Sequence, residues 1–209
     1  MTKRYNSLVS RIKELERIYL PKSTSPIGNY SNEQNHMVNG FCAFSHAEIE
    51  SYIEDSVRHV VDRCGRMISR GRYPHKMIAH IVSWYLISVC TETADDGECC
   101  PRKIMNFKKK PLIDAIKDCV EAYYVLVSKN NGIKDEDMRR LLAPIGIQID
   151  SLDQTWVADM NSFGKTRGDI VHKSLATMKT LDPIVEKNKV AALLAGLKIL
   201  DSELLLVVR

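Results

Sequence analysis

The sequence predicts an all-α protein, a helical bundle of two long antiparallel helices with several shorter ones. Three observations favour this class. Apolar residues recur at helical spacing through almost the whole chain, and only one short segment reads as extended, with no partner strand. Residues that cap or break helices separate the apolar stretches. Finally, 44% of the 209 residues are apolar and 27% are charged, which is ordinary for a globular chain and excludes a disordered or fibrous one.

The N-terminal region is predicted to contain one short helix and one long one. The first covers residues 3–19, where apolar side chains form a single stripe. Residues 21–39 are rich in Ser, Asn, Gly and Pro and are expected to form a polar loop. Ser45 and Glu48 then have the spacing of a capping box, in which each side chain bonds the other residue's backbone amide. We therefore expect the long helix to begin at Ser45.

Proline and glycine set the boundaries in the middle of the chain. The long helix is expected to stop near Gly71, and Pro74 can open the next helix because its fixed φ suits the first turn. Residues 92–107 are predicted to form a loop. Pro111 opens a fourth helix, which the Asn-Asn-Gly sequence at 130–132 terminates.

The C-terminal region is predicted to hold a short helix, a broken helix and a long final helix. The short helix covers 135–143, and residues 145–149 read as the extended piece. A further helix, capped by Asp150 or Ser151, is expected to run through Met160 and to resume over 165–177. The final helix begins at Asp182, followed by proline at its first position. The whole chain, 1–209, is predicted to be one domain.

Charge, hydropathy and cysteine spacing exclude several classes of protein. The net charge of +4 neither requires nor excludes nucleic acid. The longest uncharged, mostly apolar run, 77–90, is shorter than the ~20 residues that cross a bilayer, and no signal-peptide core begins the chain. We expect a cytoplasmic protein with no membrane partner. The six cysteines include no Cys-x-x-Cys pair, so no structural zinc is predicted, and Cys64, Cys90 and Cys119 are expected in the core.

One segment, residues 163–174, carries candidate chemistry in the pair Arg167-x-x-x-x-His172. A guanidinium offers a fixed cationic fork for a phosphate, and an imidazole can transfer protons near neutral pH. On an ideal helix this five-residue offset gives ~7.5 Å of rise and about 140° of rotation. A second pair at this spacing, Arg70 and His75, is interrupted by Gly71 and a proline and cannot lie on one continuous helix.

The surroundings of the first pair resemble a known family. Phe163-Gly164…Arg167-Gly168…His172, together with an aromatic-rich entry to an acidic helix at 39–52, is similar to the RiboL-PSP-HEPN branch of the HEPN-domain proteins. The resemblance covers roughly 39–178. Many HEPN nucleases carry a polar residue directly after the arginine, whereas this chain has Gly168. Asp169 is a candidate for that supporting role.

The resemblance implies a metal-independent endoribonuclease with no cofactor. Arg167 would hold the scissile phosphate of an RNA substrate, such as a tRNA or an mRNA, and His172 would act as general base or acid in transesterification by the 2′-OH. The products would be a 2′,3′-cyclic phosphate and a 5′-OH. It also implies a homodimer with a composite active site beside the Arg167–His172 helix. The apolar final helix, with Leu193, Leu197, Leu200 and Leu204, is the alternative dimer surface. The biological setting would be a toxin or anti-phage effector, with a cognate antitoxin or defence partner.

Two features of the sequence keep other interpretations open. Gly168 leaves room for a non-catalytic HEPN module that binds RNA, a nucleotide or a protein, and a helical scaffold would leave Arg167 and His172 without a task. Three arginines, Arg63, Arg66 and Arg70, line one face of the long helix at helical spacing. Such a stripe is either a solvated helix face or an RNA-binding surface that follows phosphates.

Overall fold

A computed structural model of the chain describes residues 1–22, 30–92, 110–173 and 180–207, with the backbone alone at 89–92. Within these ranges it contains seven α-helices and two 3₁₀ turns, at 143–145 and 149–151, and no β-strand, so the predicted all-α class is confirmed. The helices are α1 (Lys3–Tyr19), α2 (Asn32–Ile68), α3 (His75–Glu92), α4 (Leu112–Ser128), α5 (Asp135–Leu142), α6 (Gln154–His172) and α7 (Pro183–Leu206). The predicted loop at 92–107 lies almost entirely outside the described residues, as do Cys99 and Cys100.

The predicted cap of the last helix is confirmed, and the first helix has a cap at Thr2 that the sequence analysis did not identify. The Thr2 side chain accepts a hydrogen bond from the Tyr5 amide and caps α1. Asp182 accepts from the amides of Ile184 and Val185, and Pro183 occupies the first turn of α7. These bonds satisfy amides that the first helical turn leaves without intrahelical partners.

The start of α2 differs from the prediction. The helix begins at Asn32 and is capped by Ser31 in a reciprocal bond with Gln34, so the expected polar loop over 21–39 is wrong in its second half. Ser45 and Glu48 lie in the helix interior, where Ser45 is buried, and they form no capping box. The physical reason is burial, because Val38 and Phe41 continue the apolar face of α2 upstream and both are 0% exposed.

Helices α1, α2 and α7 are held together at one buried carboxylate. Asp201 of α7, 2% exposed, accepts hydrogen bonds from the Thr2 amide, the Thr2 hydroxyl and the Tyr52 hydroxyl, at 2.7 to 2.9 Å. The contacts of Tyr5 with Tyr52 and of Arg11 with Glu48 show that α1 runs antiparallel to α2. Asp201 therefore fixes the N-terminus of the chain against its last helix.

Helices α3, α4 and α5 pack around Tyr123 on the other side of α2. The Tyr123 ring meets Trp84 of α3 edge to face, with centroids 5.9 Å apart, and its hydroxyl donates to the Leu141 carbonyl at 2.6 Å. The predicted extended piece at 145–149 is not a strand, since Gly146 has a left-handed φ of 91° and a 3₁₀ turn begins at Ile149.

Helix α7 buries its leucine face within its own chain. The apolar spacing of the last helix predicts six inward residues, of which Leu194 is only half-buried. The other five are buried: Val190, Leu193, Leu197, Leu200 and Leu204. These leucines are therefore unavailable as a dimer surface, which the sequence had left open. Cys64 and Cys119 lie in the core as free thiols, whereas the side chain of Cys90 is outside the described residues.

Candidate active site

The Arg167–His172 pair lies on a single uninterrupted helix. Asp153 caps α6 by accepting from the amides of Thr155 and Trp156, so neither Asp150 nor Ser151 is the cap. The expected break before residue 165 does not occur, and α6 ends at His172, five residues earlier than predicted, with 174–179 outside the described residues.

Arg167 is half-buried and faces α2. Its positive charge lowers the pKa of His46 and counteracts the rise in the pKa of Glu50, so its guanidinium lies near both side chains. No carboxylate of the described residues lies within 4.0 Å of the guanidinium. An arginine without an ion pair keeps its charge available for an anionic ligand.

His46 is the buried neighbour of Arg167. Its side chain is 2% exposed, its ring lies 6.1 Å from that of Phe163, and its Nδ1 lies 3.6 Å from Glu50 Oε2. Burial, with the charges of Arg167 and Lys134, lowers the pKa of His46 from 6.5 to about 4. The imidazole is therefore neutral near pH 7, so it adds no second positive charge beside the guanidinium.

Glu50 lies one helical turn beyond His46 on α2, on the face that meets Arg167. Burial and the carboxylates of Glu54 and Asp137 raise its pKa, while the charge of Arg167 acts in the opposite direction. The sequence reasoning missed both His46 and Glu50. Their i, i+4 spacing was visible, but the misassigned capping box placed His46 in the first turn of a helix and gave it no function.

His172 and Asp169 point away from His46 and Glu50. His172 is the last residue of α6 and is exposed. It lies about 7.5 Å along the helix from Arg167 and is rotated by about 140°. Asp169 is two residues from Arg167, hence on a different face, and its carboxylate pairs with Lys173 at 3.0 Å. Within a single chain, Arg167 therefore lies close to His46 and Glu50. Asp169 does not pair with the guanidinium.

The predicted basic stripe lies on the other side of α2. Counting from Glu50, Arg66 is ~24 Å along the helix and about 160° around it. Arg63, Arg66 and Arg70 surround a surface hollow of about 380 Å³ together with Met67 and Arg72. Gly71, with a left-handed φ of 73°, reverses the chain so that the Arg72 amide donates to the Met67 carbonyl at 2.9 Å. This turn also separates Arg70 from His75, which begins α3, as predicted for the second pair.

A further cavity lies away from these residues. It has a volume of about 780 Å³ and is lined mainly by α7 and by the segment 145–153, with the start of α6, including Trp156, Ile199 and Leu206. Neither Arg167 nor His172 lines it. Trp156 itself is 7% exposed and donates its indole N–H to the Leu193 carbonyl, so it belongs to the core.

Comparisons with known proteins identify one relationship. A family profile described as RiboL-PSP-HEPN matches residues 6–203, which extends the resemblance seen in the sequence over α1 and almost all of α7. No curated protein and no solved structure matches the chain. Among the described helices, none is both long enough and apolar enough to span a membrane.

Proposed function

Because this chain belongs to the RiboL-PSP-HEPN family, we propose that it is an endoribonuclease that cleaves RNA without a metal ion. The observation that carries the proposal is Arg167, a half-buried arginine without an ion pair, on the same continuous helix as the exposed His172. The guanidinium offers a phosphate site that no described carboxylate occupies. The imidazole at the end of α6 is accessible to a substrate.

The proposed reaction is transesterification within the RNA. The 2′-oxygen attacks the adjacent phosphorus, the bond from phosphorus to the 5′-oxygen breaks, and the products are a 2′,3′-cyclic phosphate and a 5′-OH. His172 removes the 2′ proton as general base or protonates the leaving oxygen as general acid. Arg167 binds the phosphate and stabilises the negative charge that grows on it.

A homodimer with a composite site suits this chemistry. Transfer of two protons on opposite sides of one phosphate needs a base and an acid, and each chain supplies one exposed histidine at this end of α6. Arg167 and His172 of one chain also point in different directions. A two-fold axis beside the end of α6, where Val171 is 54% exposed, would bring a second copy of both residues to the same cleft.

Substitutions of the two pairs test the catalytic assignment. We expect Arg167→Ala and His172→Ala each to reduce cleavage of mixed RNA in EDTA by at least about a hundredfold, because each removes a group that acts in the transition state. Arg70→Ala and His75→Ala are the matched controls at the same spacing and should retain the chemical step. Equal losses from both pairs, or wild-type cleavage that depends on added Mg²⁺, would contradict the mechanism.

A non-catalytic HEPN module is the second candidate, and Gly168 favours it because many family nucleases have a polar residue at this position. The same EDTA assay separates the two functions, since a binding module leaves RNA intact while retarding it on a gel. Analysis of the product ends then distinguishes this enzyme from a contaminating nuclease that leaves a 3′-OH.

The proposed cellular role is that of a toxin or anti-phage effector, and it rests on the family resemblance alone. Expression of the wild-type chain should arrest bacterial growth, whereas expression of the His172→Ala variant should not. Equal growth of the two strains would contradict this role without affecting the biochemical assignment.

We propose that the basic hollow formed by Arg63, Arg66 and Arg70 on the far face of α2 binds RNA phosphates away from the cleavage site. His59 lies near two of these arginines: burial and the charges of Arg4, Arg66 and Arg63 lower its pKa, against the opposing charge of Asp62. An RNA must be long or folded to contact this hollow and Arg167 together. Arg66→Ala should therefore weaken binding of a folded RNA and reduce its salt dependence, while leaving cleavage of a short oligonucleotide unchanged.

A further inference from the structure

The loop between α4 and α5 places a second cation beside Arg167. Lys134, the residue before α5, lies across α6 at Gly164, where an added Cβ would be 3.0 Å from its Cγ and 3.7 Å from its Cε. Ile133 packs at the same point, 3.7 Å from that Cβ position. A methyl group at position 164 would crowd the Lys134 side chain, which would have to move by a few tenths of an ångström.

The geometry of α6 brings Lys134 close to Arg167. Residues three apart on a helix share a face, with Cβ positions about 5–6 Å apart, so Arg167 projects from the turn that follows Gly164. Lys134 and Arg167 both lower the pKa of the same buried imidazole, His46. The two side chains therefore flank one point on the surface between α2 and α6.

The cation of Lys134 has no ion pair. Its side chain is exposed, and no carboxylate of the described residues lies within 4.0 Å of its ammonium group. Acidic residues of this region are instead paired with other arginines, at 3.0 to 3.4 Å: Asp135 with Arg139, Asp137 with Arg140 and Glu54 with Arg58. Two neighbouring cations are thus left to attract an anion from solution.

We propose that Lys134 forms a second phosphate subsite, which binds the RNA phosphate adjacent to the one held by Arg167. This inference rests on the proposed function for the direction of the RNA strand, although binding of the strand does not require cleavage. Lys134 suits the adjacent phosphate because an ammonium on a flexible stem is a point charge that needs no fixed geometry. Gly164 serves this subsite, and Gly168, whose added Cβ would meet no atom within 4 Å, does not.

Binding of a strand that cannot be cleaved tests the subsite. The probe is a fluorescent, single-stranded 2′-O-methyl oligoribonucleotide, titrated by anisotropy at several salt concentrations against wild type, Lys134→Gln and Lys134→Arg. Removal of one phosphate contact from a single strand should lower the slope of log affinity against log salt by about 0.7. The deficit of Lys134→Gln should then grow about fivefold for each tenfold dilution of salt. Lys134→Arg should keep the wild-type slope.

Lys129→Gln is the matched control, because Lys129 is an exposed lysine of the same loop. The atoms closest to an added Cβ at Gly164 belong to Lys134 and Ile133, and not to Lys129. Gly164→Ala, whose Cβ displaces the lysine stem, should weaken binding in the same direction as Lys134→Gln. Inorganic phosphate at matched ionic strength should compete weakly, whereas competition equal to that of the RNA would assign the subsite to a free anion and overturn the proposal.

The outcomes separate this inference from the proposed activity. Wild-type protein that binds the probe with Lys134-dependent salt sensitivity, yet cleaves no RNA, would reject the ribonuclease and support the subsite. Equal affinities and slopes for wild type, Lys134→Gln and Lys129→Gln would overturn the subsite even if cleavage is efficient. Wild-type protein that fails to bind the probe would overturn it as well.

Discussion

Acid should destabilise this protein through His46, because the buried imidazole resists the proton that the unfolded chain accepts. The folded-state pKa is about 4 and the ordinary value is 6.5. Between these values the unfolded state binds a proton that the folded state does not, so stability falls as the pH is lowered. From pH 7 to pH 5 this one group should remove about 2 kcal/mol of unfolding free energy.

Glu50 has the opposite effect on stability as the pH is lowered, and its contribution must be separated from that of His46. Its raised pKa means that the folded state takes up a proton more readily than the unfolded one, so lowering the pH through this range adds stability. The informative quantity is therefore the difference between wild type and His46→Gln. That variant keeps a polar side chain in the cavity but cannot be protonated.

The assay is urea unfolding at pH 7 and at pH 5, monitored by circular dichroism. His46→Gln should be less stable than wild type at pH 7, because the substitution disturbs a buried site. Between pH 7 and pH 5, however, its free energy of unfolding should fall by about 2 kcal/mol less than that of wild type. His36→Gln, at an exposed position of the same helix, is the control and should follow wild type. Parallel losses in wild type and His46→Gln would show that burial beside Arg167 does not hold the imidazole neutral.

Three further outcomes are expected. Gly196→Ala should cost about 1–3 kcal/mol in urea unfolding, because its Cβ would overlap the indole of Trp156, whose N–H is bonded to the Leu193 carbonyl; an unchanged midpoint would refute this packing. Asp201→Ala should cost about 2–4 kcal/mol, because the buried Tyr52 hydroxyl loses its acceptor, and a change below 1 kcal/mol would show that water replaces it. Light scattering should report about twice 23.7 kDa, and mixing the Arg167→Ala and His172→Ala chains should restore part of the cleavage. A fully active monomer would reject the composite site.

Local sequence signals located several helix ends because those ends depend on chemistry within a few residues. Asp182, which was predicted from the sequence, caps its own helix through bonds to amides two and three positions away. Gly71 ends its segment through its own backbone conformation, and Pro74 stands immediately before α3. The apolar stripes likewise identified the buried face of α7.

Local signals were misleading where packing outweighed them. The polar stretch after Ser31 forms a helix because Val38 and Phe41 are buried against the rest of the bundle. Burial of these side chains outweighs the poor helix propensity of their neighbours. Gly164 does not break α6, and the side chains of Ile133 and Lys134 pack beside it.

The sequence by itself determined that Arg167 and His172 stand five residues apart in a segment of helical character, and its resemblance to the RiboL-PSP-HEPN family is confirmed over residues 6–203. Only the tertiary structure decided which groups surround the guanidinium. His46 and Glu50 precede Arg167 by more than a hundred positions, and Lys134 precedes it by 33. Helical periodicity describes which side of its own helix a residue occupies, but it does not state which other helix meets that side. That choice is made by the packing of all the buried faces at once, and it places the arginine stripe of α2 on the far side of the helix from Arg167.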